Sequence, residues 1–402
     1  MKVAFLHPEL GVGGAERLVV NAAVALQRRG HQVTLFTAQH DPARCFDPTR
    51  DGTLDVRVHG RRLPLQIGGR LRLPAAIARM LAVGRPAISR SRQFDVIFCD
   101  AVAQVIPLLR LRTRVPIVFY CHFPDLLLTP PRTGWYRWYR VPFDRWEAAA
   151  TEMADRVFVN SRFTAAALRG AFPRLRAVPE VLHPGVDVDR HTDPAASSPG
   201  ASSSIVAVSR FSPDKNLLLA LEAYAHLRQM MPAPAFAATR LVIAGAEDSR
   251  LRESRDTGDA LQRRSEALGL GAQVVLRRSP TDAELRALLE RARCVVYTPA
   301  CEHFGLVPLE AMAAGRPVLA ANDGGPLETV VEGETGFLRP ARPDTFAEAM
   351  HRLFVAPDLA DRLGRAGRAR VEREFSLSAF GARLEAQLQS IVQPLQQDGQ
   401  TQ

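Results

Sequence analysis

The sequence predicts an α/β protein with two doubly wound parallel-sheet domains that face each other across a cleft. Short apolar runs rich in Val, Ile and Phe alternate with helical patterns, and the alternation restarts after residue 204. This composition is typical of parallel sheets covered on both faces. A segment rich in Pro, Ala, Ser and Gly at 193–204 separates the two series and is typical of a linker. Ligands of such sheets bind outside the carboxyl ends of the strands, so we expect the site in the cleft.

The two predicted domains differ little in their pattern. The first, residues 1–192, has strand-like runs at 2–7, 32–37, 94–99, 115–121 and 156–160, and a helical pattern at 15–29. The second, residues 205–375, has runs at 205–208, 240–244, 273–276, 294–298 and 317–320. Residues 376–395 are predicted to form a C-terminal helix that crosses back to the first domain, and 396–402 a tail. At 402 residues and 47% hydrophobic composition, the chain can form two sizeable cores.

The charge of the chain favours an anionic partner. Residues 1–190 carry 28 Lys or Arg against 16 Asp or Glu, and the net charge is +10. Such a field suits a lipid head group, a diphosphate or nucleic acid. We rank nucleic acid last, because no zinc-ligand spacing, basic heptad or RNA-binding signature is present.

The sequence also indicates a cytoplasmic protein. No uncharged apolar run approaches the roughly 18 residues that a transmembrane helix needs. The N-terminus enters a predicted strand without the pattern of a signal peptide. The five cysteines include no Cys-x-x-Cys pair and fit a reducing compartment.

Residues 302–310 read EHFGLVPLE and place an acid on either side of a predicted helix start. Pro308 is tolerated there because the first N–H groups of a helix lack intrahelical partners, and the helix is expected to run to about Ala314. Those N–H groups attract phosphate, while Glu302 and Glu310 accept hydrogen bonds from hydroxyls. A sugar nucleotide presents sugar hydroxyls, a diphosphate and ribose hydroxyls in this order. The alternative is an ordinary amphipathic helix with two solvated acids.

Lysine is almost absent from this chain. Of the 52 Lys and Arg residues, only Lys2 and Lys215 are lysine. Lys215 lies in SRFSPDKN (209–216), between the strand-like run at 205–208 and a helical pattern. Lysine is a compact point charge and arginine a planar fork, so a phosphate site that already contains Arg210 favours a lysine as its second cation. The alternative is a lysine kept by chance at a solvated helix start.

Three further segments follow predicted strands. After the first strand comes GVGGAE, in which Gly13 and Gly14 let the backbone approach a phosphate, although the G-x-G-x-x-G spacing is absent. His122 follows the strand that ends at residue 121 and can donate to a hydroxyl or an oxyanion, although a single histidine is more often structural. NDGGPLE (322–328) follows the last strand, where a turn and a helix cap alone would explain it.

All three tryptophans fall in one segment, together with other aromatics and arginines: Trp135, Tyr136, Arg137, Trp138, Tyr139, Arg140, Phe143, Arg145 and Trp146. Trp and Tyr favour the polar–apolar boundary of a bilayer, and Arg favours anionic lipids. We therefore expect Trp135, Arg137, Trp138 and Arg140 to form a membrane or acceptor surface. The alternatives are aromatics packed into the core and, ranked lower, aromatics that stack on bases.

Four motifs together resemble the retaining glycosyltransferases of the GT-B fold, of the family 4 type. They are GGAE (13–16), SRFxxxKN (209–216), ExFGLxxLEAMAxG (302–315) and GGPxE (324–328), and their order and spacing match over nearly the whole chain. Within that family, HPELGVGGAER (7–17), YCHFPDLLLT (120–129) and VNSRFT (159–164) resemble the mannosyltransferases of the dolichol-linked oligosaccharide pathway. The resemblance implies two Rossmann-like domains, the first for the acceptor and the second for the nucleotide sugar.

The resemblance also implies roles for the matching residues. The implied donor-binding set is Gly13, Gly14, Arg210, Lys215, Glu302, Phe304, Gly305, Leu306 and Glu310. Within it, Arg210 and Lys215 hold the diphosphate, Glu310 binds the ribose and Glu302 the mannose. The implied catalytic set is His122, Arg210, Lys215 and Glu302. Because fixed cations stabilise the charge that grows on the leaving diphosphate, no metal and no cofactor is expected.

The implied reaction moves mannose, with retention of configuration, from GDP-mannose to an oligosaccharide on a polyprenyl or dolichyl diphosphate, in α-1,3 or α-1,6 linkage or both. It implies peripheral contact with an anionic membrane at its cytosolic face. The long hydrophobic segments expected of the eukaryotic enzyme are missing, so this contact would depend on the basic half and the aromatic segment. The alternatives are a related enzyme that uses another nucleotide sugar for lipid or polysaccharide synthesis, a nucleotide-sugar epimerase and a noncatalytic sensor.

Overall fold

The computed structural model describes residues 1–67, 71–128, 135–191, 199–248 and 251–398, without the side chains of residues 72, 135–137, 199 and 394–398. The chain divides into two compact units. Unit 1 comprises Met1–Gly185 with Leu377–Gln402, and unit 2 comprises Val186–Ser376. Each unit contains one parallel sheet flanked by helices, which confirms the predicted α/β class.

The strands of unit 1 are β1 Lys2–His7, β2 Gln32–Thr37, β3 Asp55–Val58, β4 Val96–Asp100, β5 Ile117–Cys121, β6 Arg156–Val159 and β7 Glu180–Val181. They form a seven-stranded sheet in the order β3-β2-β1-β4-β5-β6-β7. The helices of unit 1 that precede Gly185 are α1 Gly14–Arg28, α2 Arg72–Ser89, α3 Ile106–Arg110, α4 Trp135–Glu152 and α5 Arg162–Ala171. Strands β3 and β7 form the two edges of the sheet. They have no continuous apolar run and were therefore not predicted from the sequence.

The strands of unit 1 are apolar at consecutive positions because both faces of the sheet are covered. Val3 and Phe5 of β1 belong to the core on one face, and Ala4 and Leu6 to the core on the other. Successive side chains of a strand point to opposite faces, so a sheet covered on both sides needs apolar residues at every position.

The strands of unit 2 are β8 Ser204–Val208, β9 Arg240–Gly245, β10 Val274–Arg278, β11 Cys294–Tyr297, β12 Val318–Ala321 and β13 Gly336–Arg339. They form a six-stranded sheet in the order β10-β9-β8-β11-β12-β13. The helices are α6 Leu217–Met230, α7 Ala233–Ala237, α8 Arg252–Ala267, α9 Asp282–Glu290, α10 Leu306–Ala313, α11 Pro326–Thr329, α12 Pro343–Val355 and α13 Pro357–Arg370. Strand β13 is an edge strand whose last two residues are only partly buried, and it was not predicted from the sequence.

The boundary between the units falls at residue 185, earlier than the predicted boundary at 192. Val186 and Val188 pack into the core of unit 2, and the backbone N–H of Val186 donates to the carbonyl of Phe375 at 2.9 Å. Because of these contacts, unit 2 begins before the predicted linker. Residues 192–198 of that segment lie outside the described residues, and β8 begins at Ser204.

The C-terminal helix, α14 Leu377–Asp398, belongs to unit 1 and packs on α1. Its buried Leu384 and Leu388 join the same core as Leu18 of α1. Glu385 forms salt bridges with Arg29 at 2.5 Å and His31 at 2.7 Å. Residues 396–398 of the predicted tail are helical, and 399–402 lie outside the described residues.

Arg140, which we predicted to lie on a membrane or acceptor surface, is buried instead, with 2% of its surface exposed. Its guanidinium forms salt bridges with Asp125, in the segment after β5, and with Asp144 of the same helix. The backbone N–H of Asp125 donates in turn to Glu147 Oε1 at 3.0 Å. The prediction was wrong for Arg140 because the sequence pattern does not reveal acidic partners, which neutralise its charge and allow its burial.

Glu147 is expected to make the stability of unit 1 depend on pH. Burial raises the pKa of this carboxyl from 4.5 to about 7. The folded state therefore binds the proton more tightly than the unfolded state, and the stabilisation is complete below pH 4.5 and is lost as the pH rises through 7. Glu147→Gln keeps the acceptor for the Asp125 N–H but does not titrate. From pH 5 to pH 8, wild type should lose about 2 kcal/mol of unfolding free energy relative to the variant, measured by urea unfolding. A difference that is constant over this range would contradict the raised pKa.

Candidate functional site

Both sheets reverse their strand order beside the first strand of the unit, between β1 and β4 and between β8 and β11. Crossover connections leave a crevice at such a position, outside the carboxyl ends of the strands. The side chains that the sequence analysis singled out can therefore be compared with these two positions, one in each unit.

In unit 2, the loops that follow β8 and β11 are joined by an ion pair. Lys215 Nζ donates to Glu302 Oε2 at 2.9 Å, and the two side chains are 15% and 14% exposed. Thr298 Oγ1 donates to the backbone carbonyl of Lys215 at 2.7 Å and fixes the same loop. The two residues that the sequence analysis selected for different reasons are thus direct neighbours. This ion pair holds an ammonium group and a carboxylate together at the carboxyl ends of the strands.

Tyr297, at the end of β11, is the third member of this cluster and was missed by the sequence analysis. Its hydroxyl donates to the same Glu302 Oε2 at 2.9 Å. Burial by itself raises the pKa of Glu302, but the charge of Lys215 and the hydrogen bonds from Lys215 and Tyr297 outweigh it and hold the pKa below its ordinary value. Burial and the Glu302 charge raise the pKa of Tyr297 well above its ordinary value. Glu302 is therefore an ionised acceptor and Tyr297 a neutral donor at neutral pH.

The loop that carries Glu302 is held by the segment at 322–328. The backbone N–H of Gly325 donates to the carbonyl of Glu302 at 2.7 Å, and Cys301 N–H donates to Asp323 Oδ2 at 2.9 Å. A Cβ on Gly324 would lie 2.3 Å from the Glu302 carbonyl oxygen, and one on Gly325 would lie 2.2 Å from the Cα of Phe304. The two glycines therefore permit the close approach of two backbones. Besides the turn and the start of α11 that we considered, this segment positions the Glu302 loop.

Helix α10 begins directly after this loop, with Gly305 as its N-cap at φ +84°. A Cβ at Gly305 would lie 3.0 Å from Tyr297 Cε1, so glycine allows the helix start to lie against the tyrosine. Phe304 is buried, and Leu306 begins the helix. Glu310, in the second turn, is half-buried. The first N–H groups of this helix have no intrahelical acceptor and favour an anion.

Arg210 follows β8 and is exposed. The backbone just before it approaches β9 closely, because a Cβ at Gly245 would lie 1.6 Å from the Ser209 carbonyl oxygen. Arg210 contributes a positive charge that acts on Tyr297. Unit 2 therefore combines a lysine, an arginine and a helix N-terminus at the switch point of its sheet.

In unit 1, three side chains at the ends of adjacent strands form one buried cluster. His7 Nδ1 hydrogen-bonds Asp100 Oδ2 at 2.6 Å, and His122 Nε2 hydrogen-bonds Asp100 Oδ1 at 2.8 Å. His7 and Asp100 are buried, whereas His122 is 18% exposed. Asn160 Nδ2 donates to the backbone carbonyl of His122 at 3.1 Å. His122 is the member of the cluster that solvent can reach.

Asp100 is the centre of this cluster, and the sequence analysis missed it. Burial raises the pKa of Asp100, but hydrogen bonds and charges from His122 and His7 outweigh this effect and lower it. Burial lowers the pKa of His7, whereas the contacts with Asp100 outweigh the burial and raise it. Each imidazole donates an N–H to the carboxylate, which fixes both ring orientations and leaves Nδ1 of His122 for a ligand. The signal available in the sequence was the position of Asp100, a charged residue at the end of the apolar run that forms the buried strand β4.

The glycine-rich loop follows β1, the strand that ends at His7 of the same cluster. Gly13 is the N-cap of α1, and Gly14 is its first residue. A Cβ at Gly14 would meet no atom within 4 Å, so the surface there is open. The charge of Glu16, in the first turn of α1, contributes to the raised pKa of His7.

The predicted membrane or acceptor surface is described only in part. Trp138 of α4 is 78% exposed, whereas Arg140 is buried as described above. The side chains of Trp135 and Arg137 lie outside the described residues. Leu127 and Leu128, in the segment that precedes α4, are also exposed.

Two kinds of feature are absent from the described part of the chain. There, His, Cys, Asp and Glu side chains form no group of three or more that could hold a metal ion. Within the same residues, none of the helices combines the length and the apolar composition that crossing a membrane requires.

Several solved structures share the fold of this protein. One is Anabaena Alr3699/HepE in complex with UDP and glucose, with a TM-score of 0.73, 23% identity and coverage of 97% of this chain and 100% of that one. Another is sucrose-phosphate synthase from Thermosynechococcus elongatus, with a TM-score of 0.77, 21% identity and coverage of 97% and 98%.

Family models and curated relatives agree with this fold. Residues 12–190 match Glycosyltransferase Family 4, and residues 190–370 match Glycosyl transferases group 1. The chain is 42% identical over 393 residues to the alpha-1,3/1,6-mannosyltransferase ALG2 of Homo sapiens, covering 95% of this chain and 94% of the relative. It is 40% identical to that of Rhizomucor pusillus, with 96% and 91% covered, and 33% identical to that of Saccharomyces cerevisiae, with 97% and 85% covered. The chain is therefore a GT-B glycosyltransferase and belongs to the alpha-1,3/1,6-mannosyltransferase family.

Proposed function

We propose that the protein transfers mannose from GDP-mannose to an oligosaccharide on a polyprenyl or dolichyl diphosphate, in α-1,3 or α-1,6 linkage or both, with retention of configuration. The observation that carries this proposal is the Lys215–Glu302 pair at the switch point of unit 2. Identity of 33% to 42% with mannosyltransferases named for these linkages supports the sugar and the linkage.

Unit 2 binds the donor in this proposal. The ammonium of Lys215 and the guanidinium of Arg210 contact the diphosphate, and N–H groups at Phe304, Gly305 and Leu306 add hydrogen bonds. Glu302 accepts hydrogen bonds from mannose hydroxyls while it stays paired with Tyr297. Glu310, one turn into α10, accepts from the ribose.

The same groups lower the barrier to transfer. Negative charge accumulates on the diphosphate as the sugar leaves, and fixed cations aimed at it stabilise the transition state more than the ground state. Each such donor contributes about 3 kcal/mol in typical cases. The proposed mechanism uses these groups for charge stabilisation and needs no cofactor.

Unit 1 binds the acceptor in this proposal. Asp100 orients the imidazole of His122, and His122 Nδ1 contacts a sugar hydroxyl. Gly13 and Gly14, which the family resemblance assigns to donor binding, present backbone N–H groups at the open start of α1. The basic field of residues 1–190 attracts the acceptor diphosphate and anionic lipids, which supports a peripheral position at the cytosolic face of a membrane.

Product analysis distinguishes this proposal from its alternatives. The protein is incubated with GDP-mannose and a mannosylated lipid diphosphate, and separately with UDP-glucose in place of the donor. We expect a lipid product longer by one or two α-linked mannoses, and no product from UDP-glucose. An altered free nucleotide sugar would indicate an epimerase, binding without turnover a sensor, and glucose transfer a related enzyme with another donor.

Removal of either Lys215 or Glu302 should abolish most of the mannose transfer. Lys215→Ala and Glu302→Ala are each expected to reduce kcat/KM at least about a hundredfold, because each removes a contact to the donor in the transition state. Glu222→Ala is the matched control, because Glu222 forms an exposed ion pair with Arg264 at 3.2 Å in the same unit. Steady-state rates near wild type for either cluster variant would show that the site lies elsewhere.

Asp100→Asn tests the role of the unit 1 cluster. An amide has one acceptor oxygen where the carboxylate has two, so one imidazole faces an NH2 donor and the side chain no longer fixes both rings, including that of His122. We expect kcat to fall at least about tenfold, with KM for GDP-mannose nearly unchanged because the donor contacts lie in unit 2. Asp95→Asn is the control, because Asp95 precedes β4 and its Oδ2 accepts the Lys2 N–H, a role that an amide oxygen can keep. An equal effect of both variants would contradict a specific role for Asp100.

A further inference from the structure

A groove of about 590 Å³ lies on unit 1 between the C-terminal half of α4 and the segment that follows α5. Ala148 and Ala149 of α4 line one side, and Phe172 and Leu175 line the other. The lining is mainly apolar and open to solvent. A hydrocarbon chain can bind in such a groove without removing polar groups of the protein from contact with water.

Three arginines border the apolar lining: Arg145, Arg174 and Arg176. In the described part of the chain, their guanidinium groups form no hydrogen bond and no salt bridge. Glu152 is the acid that lines the groove, and its Oε2 accepts the backbone N–H of Arg176 at 2.8 Å. The border therefore keeps an excess of positive charge over an apolar floor, which complements an amphiphile with an anionic head.

The groove continues an exposed stripe of α4. Positions 138, 145, 149 and 152 lie on one face of a helix with 3.6 residues per turn. Trp138 begins this stripe and is 78% exposed, although it is one of the two tryptophans in the described part of α4. Trp favours the polar–apolar boundary of a bilayer, so the whole stripe suits a membrane surface.

The groove and the His122 cluster lie at opposite ends of the strands of this sheet. Helix α4 ends at Glu152, shortly before β6 begins at Arg156, and α5 runs back from the carboxyl end of β6 to Ala171. The groove therefore lies near the amino ends of the strands, whereas His122 follows the carboxyl end of β5. The groove is therefore remote from the sugar-binding position proposed at His122. Its apolar lining and its three arginines fit a phospholipid of the surrounding membrane.

We propose that this groove binds one anionic phospholipid of the membrane, with an acyl chain along Ala149, Phe172 and Leu175 and the phosphate between Arg145, Arg174 and Arg176. This site goes beyond the proposed transfer reaction, in which it takes no part. It would give the protein a lipid contact of defined composition, in addition to the attraction of its basic half to any anionic surface.

Titration of the full chain with dihexanoyl phosphatidylglycerol below its micelle concentration tests the site by calorimetry. We expect saturable binding of one molecule, and binding at least about tenfold weaker in Arg174→Glu/Arg176→Glu, which reverses two of the three charges. Ala149→Trp fills the groove at an exposed helix position and should weaken binding to the same extent without a change of charge. Arg61→Glu/Arg62→Glu, with the same charge change at two other exposed arginines of unit 1, should bind like wild type.

Several results would overturn the proposal. Equal binding of glycerol phosphate would indicate a site for free phosphate, and equal binding of dihexanoyl phosphatidylcholine would exclude a contribution of the arginines. Equal weakening by the Arg61 and Arg62 control, or a lack of saturation, would leave only the general field of the basic half. Transfer to a water-soluble, short-chain acceptor should proceed at the wild-type rate in the groove variants, so this test is independent of the proposed function.

Discussion

The ion pair between Lys215 and Glu302 is the interaction on which the donor site of unit 2 depends. It joins the loop after β8 to the loop after β11, and both side chains are largely shielded from water. A carboxylate in this position without its lysine would be costly, because a buried charge needs a partner and hydrogen bonds. Tyr297 and the close-packed glycines at 324 and 325 complete the support of Glu302. Glu302 is therefore held in place by contacts from three separate segments of the protein.

The parallel sheets explain why each unit has a cluster of charged side chains at the carboxyl ends of its strands. Strands that run in the same direction bring their carboxyl ends together, and residues far apart in sequence become neighbours there. His7, Asp100 and His122 end or follow β1, β4 and β5, which are adjacent in the sheet. Lys215 and Glu302 follow β8 and β11 in the same way. In both cases the ion pair or hydrogen bonds lie at the point where the strand order reverses, as expected for ligand sites in open α/β sheets.

Much of this architecture could be predicted from local patterns, whereas contacts between distant segments could not. Continuous apolar runs indicated the central strands, because both faces of each sheet are covered. The edge strands β3, β7 and β13 are short or partly polar and were missed. The scarcity of lysine pointed to Lys215 and a helix start to Glu302, but neither pattern indicated that they pair. Arg140 was misplaced for a related reason: its partner Asp125 comes from another segment, and such partners decide whether a charge is buried or exposed.

The structure of the protein with bound GDP tests the central claim most directly. The account predicts diphosphate oxygens within hydrogen-bonding distance of Lys215 Nζ and of the N–H groups at the start of α10, with Arg210 turned toward the same phosphates. It also predicts that Glu302 keeps its hydrogen bond from Tyr297 and faces the position of the transferred sugar. A nucleotide bound elsewhere, or a Lys215–Glu302 cluster without contact to the diphosphate, would contradict the account.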